Sequence, residues 1–302
     1  MHKIGIIGLG HVGSTVAHIL LMKGLVDELV LIDSNKKKTK AEYFDFNDSF
    51  ARTENSAVIK IDDYSELKDA DVLITAFGDV AATARTDDRF AELPINLKNS
   101  ATVGQKIKDS GFHGILLNIS NPCDVIVNQL QKVTGLPHEH VFGTGTFLDT
   151  ARMQRAVGAN FKEAPQNVNG FVLGEHGDSQ FTAWSTVSID NQPIKKFADE
   201  GKADLDKLDE EARHGAFTVV DGKGYTCYAI AACAVDIVRA IFTDKKQFLP
   251  ASIYLKKYDS YIGYPAVIGK DGVEHVAQLQ LTDEENAKLD ASAKTIKEKV
   301  EG

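Results

Sequence analysis

Four short segments of this chain carry residues able to do chemistry. In Gly174-Glu175-His176-Gly177-Asp178 a histidine lies in a glycine-flanked, accessible loop. Histidine is the natural proton donor and acceptor near neutral pH. Read on that segment alone, His176 is equally well a surface residue. In Leu148-Asp149-Thr150-Ala151-Arg152 the acid and the guanidinium stand three apart, so a helix sets both on one face. Spacing alone also fits a plain local salt bridge. Ser120-Asn121-Pro122-Cys123-Asp124 follows an apolar run that reads as a parallel strand, at the edge where ligands of open α/β sheets bind. Asn121 is equally suited to capping a helix before Pro122. The fourth segment, Gly8-Leu9-Gly10-His11-Val12-Gly13, fits the pattern G-x-G-x-x-G.

That glycine pattern is common by chance, and its setting gives it weight. It follows the strand-like run Lys3–Ile7, opens a helical pattern, and precedes Asp33 at the end of a second strand-like run. This is the context a dinucleotide-binding βαβ unit requires. Gly8 permits the tight turn, Gly10 lets the backbone approach a pyrophosphate, and Gly13 lets helix and strand pack closely. The helix N-terminus offers N–H donors to the phosphates. Asp33 can accept hydrogen bonds from ribose hydroxyls and would repel a 2′-phosphate, so the expected cofactor is NAD. The alternative is a structural turn with Asp33 as a helix cap.

These segments need a scaffold, and its outline is readable. Strand-like runs at Lys3–Ile7, Glu28–Ile32, Val72–Ala76, Ile115–Ile119 and Val141-Phe142 alternate with helical patterns at Val12–Met22, Arg89–Asp109 and Asn121–Thr134. Pro94 lies inside the second of these, and Pro122 suits the first helical position of the third. The rhythm predicts an α/β fold, a Rossmann-type doubly wound parallel sheet. Asn35 to Tyr64 carries no usable motif, although Glu42, Tyr43 and Asp45 suit a helix that packs on a partner. The second half predicts a mixed α+β substrate domain. Helices are expected at Asp149–Val157, Leu205–Thr218 and Tyr225–Phe242, and a last one after Thr282. Strands are expected at Asn167–Leu173, Trp184–Ile189, Tyr261–Ile268 and Val276–Leu281. The expected division is 1–145 for the dinucleotide domain and 146–302 for the catalytic domain.

Bulk properties exclude several classes. The 302 residues allow one large or two medium domains. A net charge of −9 with no long basic stretch argues against nucleic acid. Lys36-Lys37-Lys38 reads as a solvated helix face. Cys123, Cys227 and Cys233 form neither a disulfide framework nor a metal spacing, which suits a reducing cytoplasm. No run reaches the ~20 apolar residues of a membrane span. The N-terminus enters its first strand-like run directly, with no room for a targeting segment.

Taken together, the motifs resemble the L-lactate and malate dehydrogenase superfamily along nearly the whole chain. They run in family order: Gly8–Gly13, Asp33, Asp88-Arg89, Ser120-Asn121-Pro122, Leu148–Arg152, Gly174–Asp178 and Gly224-Tyr225-Thr226. Within it the chain is most similar to the L-2-hydroxyisocaproate dehydrogenases of lactic acid bacteria. Gly111-Phe112-His113-Gly114, Asp88–Leu93 and Ala151–Gly158 carry that closer likeness.

The resemblance implies roles. His176 is the general acid/base toward the 2-keto oxygen, and Asp149 orients its ring. Arg152 binds the substrate carboxylate in a planar two-pronged contact. Arg89 polarises the carbonyl once its loop closes. Asn121 bonds the substrate and lines the nicotinamide site, and Thr226 lines the pocket. Ala76, Gly78 and Ile119, with His11 and Val12, are implied to line the cofactor. At the position of Thr83, lactate dehydrogenases place a Gln and malate dehydrogenases an Arg. A small residue in a longer loop predicts a roomier pocket and an aliphatic 2-keto acid such as 2-ketoisocaproate, with Arg85 solvated. The alternatives are pyruvate and, behind it, oxaloacetate. A homodimer or homotetramer is implied. Cys123 raises the thought of an NAD-dependent glycosidase, but those chains are much longer and use a histidine cluster absent here. A non-catalytic NAD sensor has no need of His176, Asp149, Arg152 and Arg89 together.

Overall fold

The Val-, Ile- and Leu-rich runs of the first half form parallel strands buried on both faces, as their near-continuous apolar character requires. The computed structural model describes residues 1–78 and 93–301. Its strands β1 (Lys3–Ile7), β2 (Glu28–Ile32), β3 (Val58–Ile61), β4 (Val72–Thr75), β5 (Ile115–Asn118) and β6 (Val141–Gly143) are all parallel, in the order β6-β5-β4-β1-β2-β3. The crossovers run through α1 (His11–Met22), α2 (Lys36–Ser49), α3 (Leu93–Asp109) and α4 (Cys123–Thr134). Val16, Leu20 and Leu21 of α1 pack with Ile4, Ile6 and Leu29 on one face of the sheet. Ile107 of α3 and Ile126 and Leu130 of α4 pack with Ile7, Leu73 and Leu116 on the other. The strand order reverses between β1 and β4, which opens a crevice at their carboxyl ends.

The second half adds to the same sheet. After α5 (Phe147–Phe161) come five two-residue strands: β7 (Val168–Asn169), β8 (Val172–Leu173), β9 (Phe181–Thr182), β10 (Ser188–Ile189) and β11 (Gln192–Pro193). Then follow α6 (Ile194–Asp199), α7 (Leu205–Lys223), α8 (Tyr228–Thr243), β12 (Gln247–Leu255), β13 (Ser260–Gly269), β14 (Gly272–Val276) and α9 (Asp283–Glu301). The antiparallel trio β12, β13 and β14 joins β6 through the pair Ser252 and Gly143, giving a nine-stranded sheet. The rest of the second half forms two small sheets, with a third apolar cluster where α5 and α7 meet. Among the described residues no single helix is long and apolar enough to cross a membrane.

Several elements differ from expectation for identifiable reasons. The run Asn167–Leu173 is two strands, because Gly170 breaks it with φ 123°. The run Trp184–Ile189 begins as a 3-10 turn over Trp184–Thr186, and only Ser188–Ile189 is extended. The third strand of the antiparallel trio lies at Gly272–Val276, so the expected strand Val276–Leu281 is displaced toward the turn that precedes it. β12 was hidden by Pro250, a residue that argues against an internal strand. It sits directly opposite Pro265, and β6 meets β12 only at Ser252, so no neighbouring strand asks Pro250 for a donor. The unread stretch Asn35–Tyr64 holds α2 and β3. Pro122 is the N-cap of α4, not its first residue, and its helix start has no side-chain cap, so Asn121 does not cap it. The expected helix start at Arg89 lies outside the described residues.

Candidate active site

The first half of the site is the crevice beside β1. Gly8 takes φ 97°, and a Cβ there would meet the Ala76 backbone at 2.6 Å. A Cβ on Gly13 would stand 1.9 Å from the Gly8 carbonyl oxygen, so α1 can pack this closely only with glycine at that position. Around Gly10 nothing lies within 4 Å of the Cβ position, leaving the loop open on the side a ligand would take. Gly10 is the N-cap of α1 and makes no side-chain cap bond. The first-turn N–H groups, among them those of His11, Val12 and Gly13, are left for an external acceptor, a ready site for phosphate. The Asp33 carboxylate accepts from Leu9 N at 2.7 Å and from Asn35 N at 2.7 Å. It therefore braces the glycine turn against the start of α2. A carboxylate offers about four acceptor positions, so capacity remains for ribose hydroxyls. Nearby Lys36 pairs with Asp62 at 2.7 Å. These residues fit NAD.

Ala76 and Ile119 continue β4 and β5 beyond their ends, through Ala76 N to Ile7 O and Ile119 N to Thr75 O, both at 2.8 Å. Gly78 is exposed one step further along. Asn121 is exposed, and its carbonyl oxygen accepts from Asn96 Nδ2 of α3 at 2.7 Å. The His11 ring stacks on Tyr225 at 3.5 Å between centroids, next to half-buried Thr226. The glycine loop thus touches the segment that joins α7 to α8.

The second half gathers around His176. The first turn of α5 carries Asp149 and the second Arg152. Thr150 Oγ1, between them, accepts from Val172 N at 3.0 Å and fixes α5 on β8. β8 runs into Gly174 (φ 96°), which exchanges backbone hydrogen bonds with Gly263 of β13. Glu175 is buried. It pairs with Lys299 of α9 at 2.6 Å and accepts from Ser179 Oγ at 2.6 Å, while its own N–H donates to Ser292 Oγ at 2.7 Å. The loop is thereby pinned on both sides of the histidine.

His176 Nδ1 lies 2.5 Å from Asp149 Oδ2, and Arg152 Nη1 donates to Asp149 Oδ1 at 3.0 Å. The expected Asp149–Arg152 salt bridge exists, and the same carboxylate also holds the imidazole. Burial by itself pushes the His176 imidazole down. The charge and hydrogen bond of Asp149 more than reverse this, against Arg152 and with help from Asp124, and its pKa ends above the ordinary value. Burial pushes the Asp149 carboxyl up, but His176 and Arg152 hold it below the ordinary carboxylate range. The Nδ1 contact leaves Nε2 as the free ring nitrogen. Among the described residues it has no hydrogen-bond partner. The His176 side chain is 22% exposed and that of Arg152 18%, against 5% for Asp149. Such an arrangement can deliver a proton and hold an anion at the same place.

A cleft of about 100 Å³ opens beside Asp149 and Arg152, with Val172, Ala212, Ala216 and Phe217 on its apolar side. The last three come from α7, and sequence reasoning missed them. Their helical spacing was visible but reads as ordinary core packing. Thr226 is not among the residues lining this cleft. Arg89, Thr83 and Arg85 lie outside the described residues. Cys123 is 1% exposed, and burial pushes its thiol up to about 12, which suits a packing role and not a nucleophile. Among the described residues no cluster of His, Cys, Asp or Glu could hold a metal ion.

The lactate/malate dehydrogenase NAD binding domain matches residues 2–143, and the lactate/malate dehydrogenase alpha/beta C-terminal domain matches residues 146–302. The chain belongs to the lactate/malate dehydrogenase family. It is an NAD-dependent dehydrogenase acting on the CH–OH group of 2-hydroxy acids. The L-lactate dehydrogenase of Halalkalibacterium halodurans is 37% identical over 98% of this chain and 96% of its own length. L-lactate dehydrogenase 1 of Bifidobacterium longum is 35% identical over 100% of this chain and 98% of its own. A lactate dehydrogenase from a Medee basin deep-sea metagenome superimposes on this dehydrogenase with TM-score 0.93, at 35% identity, over 99% of this chain and 98% of that one. Cryptosporidium parvum malate dehydrogenase does so with TM-score 0.92, at 28% identity, over 99% and 98%.

Proposed function

We propose that this dehydrogenase interconverts a small 2-keto acid and the L-2-hydroxy acid, with pyruvate and L-lactate as the leading pair. The observation that carries the chemistry is the His176–Asp149–Arg152 arrangement beside the dinucleotide crevice. Bound NADH supplies a hydride to C2 of the keto acid, and NAD takes it back in the reverse direction. Protonated His176 donates from Nε2 to the keto oxygen, and in reverse neutral His176 takes that proton. Asp149 fixes the ring through Nδ1 and stabilises the imidazolium. Arg152 grips the substrate carboxylate with the guanidinium donors that Asp149 leaves free. Asn121 and Thr226 are assigned contacts with the substrate. His11, Val12, Asp33, Ala76, Gly78 and Ile119 are assigned to the cofactor. Arg89 is assigned to carbonyl polarisation and Thr83 to side-chain selection.

The named L-lactate dehydrogenase relatives favour pyruvate over the aliphatic keto acid expected first. A second reading, 2-ketoisocaproate, draws on the apolar wall of Ala212, Ala216 and Phe217. We further propose a division near residue 145 and a cytoplasmic homo-oligomer built on α2. That helix buries only Thr39 and Phe46 and leaves Phe44 53% exposed.

Two experiments test these readings. A panel of pyruvate, 2-ketoisocaproate and oxaloacetate with NADH is expected to give the highest kcat/KM for pyruvate. Preference for 2-ketoisocaproate would promote the second reading, and preference for oxaloacetate would defeat both. His176→Gln is expected to lower kcat by ~10⁴-fold, the upper range for general acid–base catalysis, with NADH affinity retained. Unchanged kcat removes His176 from proton transfer.

A further inference from the structure

A second buried carboxylate holds His176, from the side opposite its ring. Asp124 stands in the first turn of α4 and is 2% exposed. Its Oδ2 accepts the His176 backbone N–H at 2.9 Å. Its Oδ1 accepts Ser252 Oγ at 2.5 Å. Ser252 is fully buried in β12, at the one point where that strand meets β6. A single side chain thus fastens the histidine loop to α4 and to the seam between the parallel and antiparallel parts of the sheet. Both oxygens act as acceptors toward N–H and O–H donors, an arrangement that suits the anion. The mechanism given above makes no use of this group.

We propose that Asp124 is a positioning residue for the acid–base histidine, holding the His176 main chain so that the ring spans Asp149 and the keto oxygen. The proposal rests on the reading of His176 as the proton donor. Among the described residues the charged groups facing the imidazole are Asp149 and Arg152 from α5 and Asp124 from α4. Those facing Asp124 are His176 and Glu175 from the loop, with the Cys123 thiol beside it on α4. Burial pushes the Asp124 carboxyl up to about 6, while Ser252, the His176 N–H and the imidazole charge oppose this. Its negative charge favours the imidazolium. Removing that charge therefore lowers the pH at which His176 loses its proton.

The test compares Asp124→Asn, Ser252→Ala and His176→Gln in the intact enzyme with the best keto acid of the panel. The readouts are kcat, the midpoint of the pH profile of kcat/KM, and NADH affinity by fluorescence. Asp124→Asn is expected to lower kcat by roughly 10- to 100-fold, the scale on which a small misplacement acts. The midpoint moves to lower pH, and NADH affinity stays within about twofold, since the glycine loop is untouched. Ser252→Ala gives a smaller loss of kcat in the same direction. Wild-type kcat and midpoint in Asp124→Asn overturn the proposal. If Asp124→Asn does not fold, wild-type kcat and midpoint in Ser252→Ala overturn it instead. A fully active His176→Gln overturns the proton-donor reading and this proposal with it. An inactive His176→Gln beside a wild-type Asp124→Asn removes Asp124 alone.

Discussion

Two charge clusters, each built around a buried ionised side chain, sit at opposite ends of the sheet, and they are built differently. At the amino end, Lys3 opens β1 with its side chain 7% exposed. Its ammonium lies 2.6 Å from Glu28, 3.0 Å from Glu66 and 2.7 Å from Asp69. Lys60 joins Glu28 at 2.9 Å and Glu66 at 2.6 Å. Three carboxylates surround an ammonium that has three N–H groups. Burial by itself pushes the Lys3 ammonium down, but its acidic partners hold it above the ordinary lysine value. At the carboxyl end, Asp149 serves both His176 and Arg152, yet among the described residues His176 Nε2 and most guanidinium donors of Arg152 have no partner. Buried charge alone therefore does not mark a functional site. The mark is charge held in place with hydrogen-bonding capacity left over.

Substitutions at either end separate the two clusters. The largest effect on stability is expected from Lys3→Met, which leaves Glu28 and Glu66 with Lys60 as their remaining partner. A loss of about 3 kcal/mol of stability follows from breaking a buried pair on one side, with kcat unchanged. Urea unfolding and steady-state kinetics on one preparation read both numbers. Equal damage to activity and stability would erase the distinction between the two clusters. Arg152→Lys probes the other end. It keeps the charge and removes the planar fork, so kcat/KM for the keto acid falls by about 100-fold, or ~2.7 kcal/mol, while unfolding is barely affected.

The smallest effect sharpens the contrast through pH. The His176 pKa is raised, so reduction, which needs the imidazolium, holds at low pH and declines through a midpoint above the ordinary histidine value of 6.5. Oxidation of the hydroxy acid, which needs neutral His176, rises through the same region. Asp149→Asn removes the main support of the imidazolium and brings the midpoint down. A midpoint that stays put would mean that Asp149 orients the ring without charging it. The stability attached to the His176–Asp149 pair follows the same signs. It is complete below the histidine's unfolded value, fades as pH rises through the raised one, and is also lost in acid as Asp149 takes up a proton.

How much of this could be read from residues alone followed sequence distance. The Gly8–Gly13 turn and Asp33 belong to one βαβ unit, and local rules suffice to read them. Asp149 and Arg152 share a helix face, so their pairing was legible, but not that His176 shares the same carboxylate. Placing His176 there required the resemblance, because β8 and the Gly174–Gly263 bridge bring it back over Asp149. Asp124 and Ser252 were invisible as partners, since only the closing of β12 onto β6 brings them together. β12 itself was obscured by Pro250, whose missing donor matters only if a neighbouring strand calls for one. The α7 wall of the cleft went unread because apolar residues at helical spacing look alike in a cleft and in a core.

Lys299, near the end of the last helix, closes on Glu175 immediately before the histidine, whereas the glycine loop and Asp33 are complete within the first β-α-β segment. During synthesis the parts that grip the cofactor leave the ribosome long before Lys299, the last of the residues that secure the reacting loop. The grip on the cofactor is thus laid down early and the bracing of the reacting loop last, so a chain interrupted shortly before its end would lack the Lys299 clasp on Glu175 while keeping the contacts of His176 with Asp124 and Asp149.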